Sequence, residues 1–214
     1  LAREYPLPTL AVSLGAIEVL PIDVVCSYSA FANLGKRPNP RFIQKIVGPF
    51  GNTLYETEPE LEEVITPQNA YIMSQLLEGV IQYGTATALK EIDRPLAGKT
   101  GTTNNEVDAW FVGLTPELVT AAYVGFDQIE PMGRGETGTG AALPIYKYFA
   151  EEVFQYYPPT DFEQPENIYF RTVDGISLPF VVGTTPETGI NAVQPDNVTE
   201  SDSAEELLMQ GFDM

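Results

Sequence analysis

Histidine is absent from the 214 residues of this chain. Without an imidazole, a Ser-His or Cys-His hydrolytic pair cannot be assembled from its own residues, and the usual zinc sites lose their commonest ligand. Cysteine is nearly absent too. Cys26 stands alone, so no internal disulfide forms, and its apolar helical surroundings predict a buried, inert thiol. The redox compartment stays open. Bases are scarce, 11 against 30 acids for a net charge of −19, which argues against a nucleic-acid partner because phosphate binding needs a basic surface. No apolar run reaches the roughly 18 residues of a membrane span. The opening Leu1-Ala2-Arg3-Glu4-Tyr5-Pro6 carries neither an initiator methionine nor a signal-peptide pattern. The chain is therefore expected to be cut from something longer. What is present, 43% hydrophobic and 11% aromatic residues, is globular composition, enough for one cored domain or a large part of one.

The stretch richest in chemistry is Ala97-Gly98-Lys99-Thr100-Gly101-Thr102-Thr103. Two glycines without Cβ atoms let a backbone approach another molecule closely. Lys99 adds a compact ammonium, and the threonines add hydroxyl donors, a set suited to a carboxylate. A phosphate-binding loop does not fit, because the residue five before Gly98 is Asp93 rather than glycine. After the polar turn Asn104-Asn105-Glu106 come two apolar runs, Val107 to Leu114 and Leu118 to Phe126, separated by Thr115-Pro116-Glu117. Each is strand length and rich in aromatic or β-branched residues. Such short connections predict a three-stranded antiparallel meander with the lysine segment. Trp110 and Phe111 alternate faces in it. Asp108 and Asp127, at strand ends, read as turn residues rather than as a catalytic carboxylate pair.

Along the rest of the chain, Pro21 followed by Ile22, Val25, Cys26, Tyr28, Ser29 and Ala32 predicts a helix stopped at Asn33-Leu34-Gly35. Lys36 to Pro40 reads as a basic loop, 42–47 and 53–55 as a small hairpin, and Glu56 to Glu63 as a solvated acidic loop without calcium-loop spacing. Thr66-Pro67 caps a second helix with Ala70, Met73, Leu76, Leu77, Val80 and Ile81 as its apolar face, ending near Tyr83-Gly84. The turn Gly84 to Ala88 is placed near the mouth of the lysine site. Met132 to Ala142, with glycines at 133, 135, 138 and 140, reads as a mobile loop at an edge of that site. A third helix from Pro144 is expected to turn Ile145, Tyr148, Phe149, Val153 and Tyr156 toward the core. Strands at 168–173 and 178–182 are expected to flank Asp174-Gly175, and the acidic tail from Gln194 is expected to be disordered.

Several of these segments together resemble penicillin-binding protein transpeptidase domains: Gly98-Lys99-Thr100-Gly101-Thr102-Thr103-Asn104, Asp108-Ala109-Trp110-Phe111-Val112-Gly113, Thr115-Pro116 and Val124-Gly125-Phe126-Asp127. Leu14-Gly15-Ala16-Ile17-Glu18-Val19-Leu20-Pro21, Tyr28 to Gly35, Gly84-Thr85-Ala86, Glu136-Thr137-Gly138 and Ala142 to Tyr146 are similar to the bifunctional, class A members. The resemblance covers residues 7 to 155. It implies an α+β fold of the serine β-lactamase and transpeptidase kind, an antiparallel sheet flanked by helices, with the amino-terminal half of the domain missing. Residues 1–157 would be the carboxy-terminal part of that domain, 158–193 an appended segment with a hairpin, and 194–214 the tail.

The resemblance also implies roles. Lys99 polarises the site, Thr100, Gly101, Thr102 and Thr103 join it in binding a D-alanyl-D-alanine carboxylate or a β-lactam, and the Thr102 N–H is an oxyanion donor. No metal or cofactor is implied. Peptidoglycan stem peptides, β-lactams and cell-wall assembly proteins are the implied partners, and the extracytoplasmic (periplasmic) face of the bacterial membrane the implied location, reached through an absent anchor and glycosyltransferase domain. No serine is followed by lysine three residues on, and no Ser-x-Asn occurs. The nucleophile, its lysine base and the middle-motif serine are thus expected to precede Leu1, leaving this piece inactive alone. A noncatalytic assembly module, and a D,D-carboxypeptidase or β-lactamase of the same fold, remain open alternatives.

Overall fold

The computed structural model describes residues 17–173 and 175–184, together with Leu10, Val12 and Gly15. Helix α1 (Pro21–Ala32) begins with proline in its first turn behind an extended Leu20, where a missing N–H costs nothing. It stops at Leu34 and Gly35, both left-handed at φ 50° and 88°, with the Gly35 N–H donating to Ala30 O at 2.7 Å. Cys26 is buried in α1, and burial pushes its thiol pKa up, with Arg37 pulling it back.

Strand β1 (Lys36–Pro38) is followed by a hairpin of β2 (Lys45–Val47) and β3 (Thr53–Glu56), and then by β4 (Leu61–Glu63). The hairpin is as expected. The two flanking loops are not loops, because β1 and β4 pair antiparallel with Lys36 opposite Glu63 and Arg37 opposite Glu62. Opposite charges face each other across this ribbon, and Arg37 Nη2 lies 2.6 Å from Glu62 Oε2, so cross-strand charge pairing takes the place of apolar alternation.

Helix α2 (Pro67–Gln82) has Thr66 as its cap, accepting from the Asn69 N–H. Its buried face is Ala70, Tyr71, Ser74, Leu77 and Ile81, whereas Met73 and Leu76 are 38% and 53% exposed. The expected face is thus rotated. Ser74 explains the rotation: its hydroxyl donates to Phe31 O at 3.0 Å and to Ala70 O at 3.2 Å, so a small polar residue is satisfied at the contact between α1 and α2.

The meander is present as expected. Strands β5 (Ala97–Thr102), β6 (Asp108–Leu114) and β7 (Val119–Gly125) form one antiparallel sheet in that order. Alternation along β6 puts Ala109 and Phe111 into a core with Ile81, Leu89, Leu96, Leu143, Tyr146 and Ala150. A second core gathers Leu114 and Ala97 with Tyr71, Leu77, Phe162 and Ile168. Phe111 is fully buried, while Trp110, on the other face, packs its ring 4.7 Å from that of Tyr123.

Residues 138–142 form a single wide helical turn leading into α3 (Leu143–Val153). The stretch read as a loop therefore ends packed, with Gly138 and Ala142 buried. The expected core stripe of α3 is also corrected, since Ile145, Tyr148, Phe149 and Tyr156 are exposed and Leu143, Tyr146 and Ala150 are buried. Gly113 supplies the reason: the Tyr146 ring fills the space where a Cβ would stand. Burial pushes the Tyr146 phenol well above its ordinary pKa, with a Thr120 hydrogen bond and Arg94 opposing. Strands β8 (Ile168–Val173) and β9 (Ile176–Val181) pair as a hairpin whose Ile168 and Val181 pack with Tyr71 and Leu77 of α2. The acidic tail lies outside the described residues. Among the described residues, no helix is long and apolar enough to cross a membrane.

Candidate active site on the edge of the lysine strand

Strand β5 is at the end of its sheet, so one side has no partner strand among the described residues. The Thr103 N–H donates to Asp108 O at 3.1 Å, which turns Thr103 toward β6. Backbone groups alternate along an antiparallel strand. Gly101 therefore also faces β6, and Thr100 and Thr102 present their N–H and C=O groups to the open side. Lys99 is exposed, and its Nζ donates to Thr100 O at 2.8 Å, on that same open side. An ammonium, an N–H and a carbonyl thus line one unpaired edge, the arrangement that binds an extended chain by strand addition.

The threonine hydroxyls are supported from the flanks. Thr85 Oγ1, from the turn after α2, lies 3.0 Å from Thr100 Oγ1, which places that turn at the site as the sequence suggested. Thr102 Oγ1 accepts from the Gly138 N–H at 3.0 Å. Thr103 Oγ1 accepts from the Asp108 N–H at 2.8 Å and so closes its own turn.

A model of the penicillin-binding protein transpeptidase domain matches residues 7–149. The chain belongs to this family. It is 38% identical over 201 residues to penicillin-binding protein 1A of Aquifex aeolicus, spanning 87% of this chain and 28% of that protein. The protein of the same name from Neisseria cinerea is 40% identical over 144 residues, 64% of this chain and 18% of that one. Among solved structures, penicillin-binding protein 1A from Haemophilus influenzae superposes with a TM-score of 0.77 at 26% identity, covering 82% of this chain and 34% of that chain. PonA1 from Mycobacterium tuberculosis in complex with penicillin V gives 0.66 at 27% identity, covering 84% and 48%. The α+β transpeptidase fold class that the resemblance implied is the one found. This chain spans little more than a quarter of the length of the Aquifex relative and less of the Neisseria one.

One reading of the lysine segment needs correction. Gly98 is buried, and a Cβ there would stand 2.7 Å from Phe111 Cζ, so its missing side chain makes room for the protein's own core rather than for a ligand. Asp108 finishes its strand end, its Oδ1 accepting from the Tyr123 hydroxyl at 2.6 Å. That bond is the main cause of a raised Tyr123 pKa, followed by burial and by the Asp108 and Asp127 charges. No His/Cys/Asp/Glu cluster able to hold a metal occurs among the described residues. Ser27, Ser29 and Ser74 each donate to a carbonyl of their own helix. Sequence reasoning missed Thr85 and Gly138 as hydroxyl partners, because each is 15 or 36 residues from the threonine that it meets.

Proposed function

We propose that this chain is the carboxy-terminal part of a serine D,D-transpeptidase domain that cross-links peptidoglycan stem peptides and is acylated by penicillin. The observation that carries this reading is the open β5 edge, where Lys99 stands beside the outward-facing backbone of Thr100 and Thr102. A stem peptide lies along that edge, its terminal carboxylate held by Lys99 and by the hydroxyls of Thr100 and Thr102, with Gly101 and Thr103 shaping the strand. The Thr102 N–H points at the carbonyl oxygen that becomes negative in the tetrahedral intermediate, a contribution typically worth about 3–4 kcal/mol in the transition state.

The nucleophilic serine and its lysine base come from residues outside this chain. The serine Oγ adds to the penultimate D-alanine carbonyl carbon as its proton passes to the base, the terminal D-alanine amine leaves with a proton, and an acyl-enzyme remains. An amine from a neighbouring stem peptide then takes the acyl group and frees the serine. A β-lactam enters the first half of this sequence, consistent with the penicillin V complex of the similar PonA1. The same reading places the domain on the outer face of the bacterial cytoplasmic membrane.

Lys99→Ala in the full-length protein tests the reading. Losing the cation opposite a desolvated carboxylate costs about 2–5 kcal/mol, so labelling by a fluorescent penicillin is expected to disappear on the timescale of wild-type labelling. Wild-type labelling by the variant would overturn the assignment.

A further inference from the structure

We infer that Glu106 is a positioning residue that latches the 132–138 loop against the end of the lysine strand and thereby sets the wall beside the Thr102 edge. The inference rests on the transpeptidase reading above. Asn105 and Glu106 are consecutive non-glycine residues at φ 61° and 56°, a left-handed pair that L-residues keep only when their surroundings hold them. All three polar groups of Glu106 are engaged. Its N–H donates to Thr103 O at 3.1 Å and its carbonyl accepts from the Met132 N–H at 3.0 Å. Its two carboxylate oxygens each lie 3.1 Å from the Gly135 N. That charge-assisted bond ends on a glycine at φ 91°, a conformation that a side chain would disfavour.

The loop so held leads directly to Gly138, whose N–H meets the Thr102 hydroxyl. Met132 packs against the core that contains Phe111. One side chain therefore joins the turn that ends the lysine strand to a loop that touches Thr102 three residues further on. Releasing Glu106 leaves Lys99 and the open edge intact but frees the wall from 133 to 137, where Arg134 is exposed. The consequence is weaker capture of the ligand rather than slower chemistry.

The test uses the full-length protein with Glu106→Ala and Glu106→Gln, the second keeping the shape and one acceptor oxygen. Hydrogen exchange of the peptide covering 132–138, and tryptic cleavage after Arg134, are each expected to rise about tenfold in Glu106→Ala and about threefold in Glu106→Gln. Fluorescent-penicillin kinetics are expected to show an encounter constant about tenfold weaker, with the limiting acylation rate within about twofold of wild type. Should Glu106→Ala not fold, the threefold effect in Glu106→Gln carries the test. Wild-type exchange and cleavage in the variants would overturn the latch, and a loosened loop with unchanged encounter constant would overturn the positioning role. Wild-type protein that takes no penicillin label would instead sink the underlying transpeptidase reading, whatever the exchange result.

Discussion

Gly113 lacks a side chain where Tyr146 needs the space, and the same logic recurs at Gly98 under Phe111 and at Gly138 over β5. These three glycines hold the lysine strand, its neighbour and the turn before α3 in mutual contact. From sequence, glycines around a lysine suggest access for a ligand. Which glycine serves a ligand and which serves the core depends on the residue across the register, and that is not visible before strands are paired. A Cβ at Gly113 would overlap the Tyr146 ring, and one at Gly138 would lie 2.6 Å from the backbone oxygens of both Gly101 and Trp110. Gly113→Ala is expected to destabilise by about 1–3 kcal/mol, the usual cost of overpacking, and Tyr146→Leu in the same chain is expected to recover part of it. Urea unfolding measures both. A Gly113→Ala protein as stable as wild type would show that Tyr146 is free to move aside.

At the scale of elements, the meander was legible because three strand-length runs with short polar connections admit little other than antiparallel neighbours. The faces of α2 and α3 were less so. Ser74 counts as polar in a periodicity argument yet is buried and satisfied, and the apolar stripe of α3 yields to Tyr146 because its ring fills the Gly113 slot. The ribbon of β1 and β4 was hidden because its short strands are joined by charge rather than by alternation. At the candidate site, the place of the Thr85 turn beside the lysine strand was legible, but the links to Gly138 and Gly135 span too much sequence for any local pattern.

Helix α2 also carries a titration. Half-buried Glu78 has its pKa raised from 4.5 to about 7, chiefly by desolvation, with a Gln75 hydrogen bond opposing and Asp161 adding to the rise. The folded state thus keeps a proton that the unfolded chain releases above its ordinary pKa. The stability from this group is complete below pH ~4.5 and is lost as pH rises through 7. Allowing for partial solvation, the loss is about 1–2 kcal/mol. Glu78→Gln is expected to raise the melting temperature at pH 8 and to flatten its decline between pH 5 and 8. An unchanged slope would remove Glu78 as its source.

Across the whole molecule, one buried cation ties together segments far apart in sequence, in a chain whose net charge is −19. Arg94 Nη2 lies 2.9 Å from Glu117 Oε2, with the side chains only 4% and 16% exposed. Its Nη1 donates to Tyr157 O at 3.2 Å, and its guanidinium sits 4.1 Å from the centre of the Phe154 ring. Glu117 in turn accepts from the Thr160 N–H at 2.9 Å. The approach to β5, the β6–β7 turn, the end of α3 and the segment beyond it thus converge on one ion pair. Burial works against the Glu117 charge, but bonds from Thr160, Thr115 and its own N–H, with Arg94, outweigh it and hold the pKa below the ordinary value. Its stabilisation is therefore present above the ordinary carboxylate pKa and lost as pH falls through the lower, folded one, the opposite sense to Glu78. Glu117→Gln keeps the size but strands Arg94, at a cost of about 3–5 kcal/mol, whereas replacing both members with Arg94→Met and Glu117→Leu is expected to cost less than that single change. Thermal melting of the two variants at pH 7 decides the matter. If the double replacement melts lower than Glu117→Gln, the tie is held mainly by the carbonyl and ring contacts of Arg94 rather than by its charge partner.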